Sequence, residues 1–120
     1  MNQLTDHIET MGKLLDVAAL RHRVIAGNMA NVNTPNYRRY EVQFEEMFNA
    51  AMRSGDKDGA KTLQPRVVVD GGGMIKEDGN NVQLEREVSD LMKNSLYFET
   101  LTQMLTKKID GLRNAIAGRS

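Results

Sequence analysis

The sequence contains no cysteine, which excludes disulfide bridges, thiol nucleophiles and cysteine-ligated metal. Tryptophan is missing as well, and three Phe and three Tyr are the only aromatic residues among 120. Bulk has to come from Leu and from eight Met, whose flexible thioethers suit helix seams that adapt to several neighbours. An excess of one charge is also lacking, because 16 basic and 16 acidic residues cancel. The cancellation is local: residues 1–30 carry three basic and three acidic groups, 31–80 seven and eight, 81–120 six and five. No segment offers the basic surface that phosphate neutralisation requires, so nucleic-acid binding is not expected. Arg38-Arg39, flanked by Glu41, Glu45 and Glu46, reads as a solvated, self-neutralised patch.

Long apolar runs are absent too. Nothing approaches the roughly 20 residues needed to span a bilayer. The stretch Met1 to Leu15 holds Asp6 and Glu9 without a basic start, which argues against a cleaved secretory signal. A chain of this length forms one domain with at most a modest core.

Proline occurs only at 35 and 65, and Pro35 marks the pivot of the chain. It follows Ala30-Asn31-Val32-Asn33-Thr34 and disfavours helical geometry at Thr34, so a helix arriving from the N-terminus should end at or before Asn33. Asn28, Asn31, Asn33 and Asn36 can bond local backbone groups, and Thr34-Pro35-Asn36-Tyr37 has the residues of a β-turn, with Pro second and Asn third. The helix-end motif is thus Asn28, Ala30, Asn31, Asn33, Thr34, Pro35 and Tyr37.

What the sequence does have is two heptad seams. Leu4, Ile8, Met11, Leu15, Ala18, Ile25, Met29 and Val32 recur at alternating spacings of four and three, with His22 in the remaining place. Leu14, Val17 and Val24 widen this stripe, so the first helix can touch more than one partner. The second seam runs Leu84, Val88, Leu91, Ser95, Phe98, Thr102, Leu105, Ile109, Leu112 and Ile116, flanked by Met92, Leu96 and Met104. Such repeats predict long helices pairing as a coiled coil. Surplus apolar faces predict association with further copies or relatives.

Between the seams, Tyr40, Val42 and Phe44 alternate with Arg39, Glu41 and Gln43, the period of a short strand. Glu45 to Arg53 reads as an amphipathic helix, Ser54 to Gln64 as a flexible linker, and Arg66-Val67-Val68-Val69 as a second strand pairing with the first. Asp56-Lys57-Asp58-Gly59 lacks the ligand spacing of a calcium loop and reads as a turn. The expected organisation is mainly α: an N-terminal helix over 1–33, a loop and short-strand region over 34–81 without a substantial core of its own, and a C-terminal helix over 82–120. His7 and His22 lie too far apart to share a metal. No catalytic constellation, metal site or cofactor motif emerges.

Three separated motifs carry a specific likeness: Ile25-Ala26-Gly27-Asn28-Met29-Ala30-Asn31-Val32-Asn33-Thr34-Pro35-Asn36-Tyr37, then Val42-Gln43-Phe44-Glu45-Glu46, then Asp78-Gly79-Asn80-Asn81-Val82 leading into the second seam. Their order resembles the bacterial flagellar rod, hook and hook-associated axial protein family over essentially the whole chain. That family usually has Gly where Asn36 stands, and often Asp where Gln83 stands, which shifts the expected cap of the last helix to Asn80 or Asn81. The resemblance implies a non-enzymatic structural subunit of the proximal rod in the periplasm, exported by the flagellar type III apparatus without a cleaved signal. It also implies helical assembly around a central channel, with copies of the chain, other rod proteins, the rod adaptor FliE and the export gate as neighbours. A cytoplasmic helical export chaperone or adaptor is the alternative; it accounts for the seams but not for the Asn-Thr-Pro corner.

Overall fold

The computed structural model of the chain describes residues 3–118. Its elements are α1 (Gln3–Ala30), β1 (Tyr40–Gln43), α2 (Glu45–Arg53), α3 (Lys57–Thr62), β2 (Arg66–Val69) and α4 (Leu84–Ile116). The fold is mainly helical, with two long helices packed together and a two-stranded sheet between them in sequence.

Helices α1 and α4 are antiparallel. Asn28 Nδ2 reaches Glu87 Oε2 at 3.3 Å, Asn94 Nδ2 donates to Ala18 O at 2.8 Å, and the His22 ring meets Phe98 edge-on with centroids 6.3 Å apart. From Asn28 down to Ala18 on α1 the bonded partners run from Glu87 up to Asn94 on α4, so the pair forms a long hairpin within a body of 64 × 28 × 15 Å.

The contact line on α4 is displaced from the apolar repeat. Its buried residues are Glu87, Asn94 and Leu101, one per heptad, with Leu91, Leu105 and Leu112 half-buried beside them. The other seam positions Leu84, Val88, Phe98, Ile109 and Ile116 are exposed. On α1, Ala18 and Ile25 are buried while Leu4, Ile8, Met11, Leu15 and Met29 are half-buried. The physical reason is polar: two of the three innermost α4 positions hold internally bonded side chains, which a search for apolar spacing passes over.

The flank of α1 carries the molecule's main apolar cluster. Val17 packs with Val42, Phe44, Phe48 and Ala60, and Leu14, Leu20, Val24, Ala51 and Leu63 border them. The middle of the chain therefore builds its core jointly with α1 rather than on its own. Helix α2 spans the segment read from its sequence, with Glu45 and Glu46 in its first turn and Arg53 in its last, a charge order that suits the helix dipole. Phe44 and Phe48 stack with centroids 5.3 Å apart.

Residues 57–62 form a helix where a flexible linker was expected. Asp56 caps it by accepting from the Gly59 N–H at 2.9 Å, and any Cβ at Gly59 would lie 2.1 Å from Asp56 Oδ2. Lys61 Nζ fastens the helix to α1 through Asp6 Oδ1 at 2.6 Å and Glu9 Oε2 at 3.2 Å. Capping and tertiary anchoring outweigh the poor intrinsic propensity of Lys-Asp-Gly.

The strands pair antiparallel with Tyr40 opposite Val69 and Val42 opposite Val67. The Asp70 N–H bonds the Arg39 carbonyl at 2.9 Å, which places the backbone groups of Tyr40, Val42, Val67 and Val69 on the outer edges of the ribbon.

Candidate functional site

Two features have the character of a site: a polar corner where α1 turns toward the sheet, and an apolar face left open on α4.

The corner begins as a helix end. After Ala30, the Asn31 N–H bonds Gly27 O at 3.2 Å and Tyr37 N–H bonds Thr34 O at 3.2 Å. Asn36 sits at φ +63°, so Thr34 to Tyr37 is a β-turn with left-handed geometry at its third position, which Asn tolerates. The Asn31 side chain donates to Gly27 O at 2.8 Å and accepts from Thr34 Oγ1 at 3.0 Å. Ala30, Asn33, Thr34 and Pro35 are exposed.

Asn28 is fully buried and its amide is saturated. It donates to Tyr40 O at 2.8 Å and Glu87 Oε2 at 3.3 Å, and accepts from Tyr40 N–H at 2.9 Å and Tyr37 Oη at 3.3 Å. One side chain thus imitates a neighbouring strand, closing the outer edge of β1 at Tyr40. Arg21 continues this by donating to Val42 O at 3.0 Å, while the same group holds Glu45 at 2.8 Å.

The other half of the corner is the segment before α4, which was expected to cap that helix. It does something else. Asn80 donates to Asn31 O and Thr34 O, both at 2.8 Å, and accepts from Val82 N–H at 2.7 Å. Asn81 accepts from Arg39 N–H at 2.6 Å and donates to the carbonyls of Asp70 and Gly72. The N-cap position of α4 is Gln83, with no side-chain capping bond. Gly79, at φ +84°, allows the turn before it, and a Cβ there would lie 2.3 Å from Asn36 Oδ1. This close approach seats Asp78 O on the Asn36 N–H at 2.8 Å.

At the centre lies an ion cluster. Arg39 is 3% exposed and Glu87 0%, and Arg39 Nε donates to Glu87 Oε1 at 2.6 Å while Nη1 donates to Asp70 Oδ2 at 2.7 Å. Burial works against the Arg39 charge, but its bonds to Glu87 and Asp70 outweigh that and raise its pKa. The Gly72 N–H and then the Arg39 guanidinium hold the Asp70 carboxyl below its ordinary range. Burial beside Tyr40 and Glu87 pushes the Tyr37 hydroxyl up. Arg39 keeps its near neighbour Glu41 at 3.5 Å but is buried rather than solvated; its sequence-distant partners Glu87 and Asp70 gave no signal in a local charge pattern.

A cleft of about 360 Å³ opens between α1, β1 and α4, with Tyr40, Arg86, Asp90, Lys93 and Tyr97 in its lining. Arg86 is already within 3.6 Å of Asp70 and 3.9 Å of Asp90. Among the described residues, no group of three His, Asp or Glu is placed to hold a metal, and no helix is long and apolar enough to cross a membrane.

The open face runs along α4. Leu84, Val88, Met92 and Leu96 follow one another at spacings of four, exposed by 46%, 38%, 63% and 66%; Met104, Ile109 and Ile116 are also exposed, on other sides of the helix. Side chains four apart form one ridge on a helix. A contiguous exposed apolar ridge is a feature that marks interaction sites.

No protein-family model matches the chain. Relatives are nevertheless clear. It is 33% identical over 112 residues to the flagellar basal body rod protein FlgB of Aquifex aeolicus (strain VF5), covering 90% of each chain. It is 31% identical over 122 residues to that of Borrelia hermsii, covering 87% of this chain and 90% of the relative. The Bacillus subtilis (strain 168) protein of the same name is 25% identical over 98% of both chains. With this agreement along nearly its full length, the chain belongs to the FlgB family of flagellar basal body rod proteins.

Proposed function

We propose that the chain is a structural subunit of the flagellar basal body rod that assembles helically with its own copies and with other rod proteins. The observation that carries this is the apolar ridge Leu84, Val88, Met92 and Leu96 on the outside of a helix whose inner face is already used. In the assembled rod, this ridge and the seam positions Phe98, Ile109 and Ile116 complete coiled-coil contacts with neighbouring helices. A heterologous contact that does not close generates a helical tube. The polar corner sets the angle at which the sheet region leaves the helical hairpin, so every subunit presents the ridge in one orientation.

The finer reading is a proximal, periplasmic position, reached by type III export without a cleaved signal, with FliE and the export gate among the neighbours. Its role is mechanical, with no catalytic step. Quantitative mass spectrometry of purified hook–basal bodies tests this. A fixed ratio to the other rod proteins is expected, and recovery solely as a soluble 1:1 complex with an exported protein would overturn it.

A further inference from the structure

The α4 ridge is bordered by charges that the subunit leaves unpaired. Glu85 and Lys93 each follow a ridge residue, Leu84 and Met92, so they stand on the row alongside it. Both are exposed, and neither enters an ion pair among the described residues. A second such pair stands on α1. Asp16 and Arg23 are exposed, two turns apart on the side away from the buried Val17, Ala18, Ile25 and Asn28. They too are without an ion pair among the described residues.

The order of these charges decides how the two faces can meet. Read from the N-terminal end, α1 presents acid then base, and so does α4. Laid parallel, like charges oppose each other; laid antiparallel, Asp16 meets Lys93 and Arg23 meets Glu85. The separations agree, since seven residues of helix span about 10.5 Å and eight about 12 Å. In that register the apolar side chains also find room. Leu96 falls against Gly12, Val88 against Ala19 and Leu84 against Ala26, and small side chains allow helix axes to approach closely. A Cβ added at Gly12 would meet nothing within 4 Å, so packing inside the subunit does not demand a glycine there.

We infer that the α4 ridge of one copy packs antiparallel on the outer face of α1 of a second copy, with Asp16–Lys93 and Arg23–Glu85 as its flanking ion pairs. Charge complementarity of this kind fixes orientation and register, while burial of the ridge supplies the driving force. Ridge and receiving face lie on different helices, so each copy offers one of each and the contact propagates instead of closing on a twofold axis. This rests on the self-assembly reading above and names the surface that covers the ridge.

Sedimentation velocity over a concentration series at low salt tests it on the natural protein, Arg23→Glu, Glu85→Arg and the double variant. Each single variant sets like charges against each other and is expected to weaken association roughly tenfold. The double variant restores opposite charges and is expected to recover the natural association, with helix content by circular dichroism the same in all four. Cross-linking reads the register independently, because the natural chain has no cysteine. Size-tagged Ala19→Cys and untagged Ser89→Cys proteins, mixed and mildly oxidised, are expected to give the mixed disulfide dimer several-fold above either homodimer. Oligomers that the single variants leave unchanged, that the double variant does not recover, or that lack the 19-to-89 link would overturn the inference and leave self-assembly standing. Monomers of the natural protein at every concentration would overturn both.

Discussion

At the scale of single residues, the stability of the corner depends on polar groups that are costly when unpaired. Glu87 and Arg39 are buried against each other, and removing one member of such a pair typically costs about 3–5 kcal/mol. Glu87→Ala is accordingly expected to lower the unfolding free energy by about that amount, measured by urea denaturation at neutral pH. Asp70 provides a pH test. Its folded pKa is depressed by the Gly72 N–H and by Arg39, so its contribution is present above the unfolded value of about 3.9 and is lost as pH falls through the folded value. Stabilities of the natural protein and Asp70→Asn should therefore differ by a constant amount above about pH 4 and approach each other as pH falls below it. Little of this was legible beforehand. The motif Asn28 to Tyr37 pointed to the corner, and the turn at Asn36 follows from proline and asparagine chemistry alone. The partners did not, because Glu87, Asn80 and Asn81 are more than 40 residues from Arg39, Asn31 and Thr34, which they bond across the corner, and no local rule links them.

At the scale of elements, α4 permits a comparison between like residues on opposite sides. Leu101 is 5% exposed and Leu96 66%. Leu101→Ala should cost about 2–5 kcal/mol, while Leu96→Glu should change monomer stability by no more than about 0.5 kcal/mol and yet suppress association. Chemical denaturation and sedimentation velocity on the two variants read these effects separately. Equal destabilisation by both would mean that the ridge is packed within the monomer. The bounds of α2, β2 and α4 were readable from hydrophobic period and breakers, because these signals are local. Helix α3 was not, since it depends on Lys61 reaching Asp6 and Glu9 on α1. Nor was the phase of α4 against α1: Glu87 and Asn94 occupy the inner line, and their burial is stabilised by partners rather than by apolarity.

Over the whole molecule, burial is unevenly distributed along the hairpin. Buried residues on α1 lie between Val17 and Asn28, and on α4 between Glu87 and Leu101. The far arms, 3–16 and 102–116, contain none. Few buried contacts mean low local opening free energies. In dilute protein, amides of the arms should exchange with deuterium faster than those of 17–28 and 87–101, and should gain protection on assembly. Uniform protection in the monomer would contradict this gradient. The antiparallel register adds a mechanical corollary. Gln3 and Ile116 lie at the same end of the hairpin, and the corner at the other. Tension applied between those residues peels the helices apart one turn at a time, at low force, rather than shearing all their contacts together, and the rip stops at the Arg39–Glu87 pair. A subunit isolated between optical-trap beads would behave as a zipper with a locked end; confined among neighbours that block peeling, the same helices would resist torque as a bundled cable.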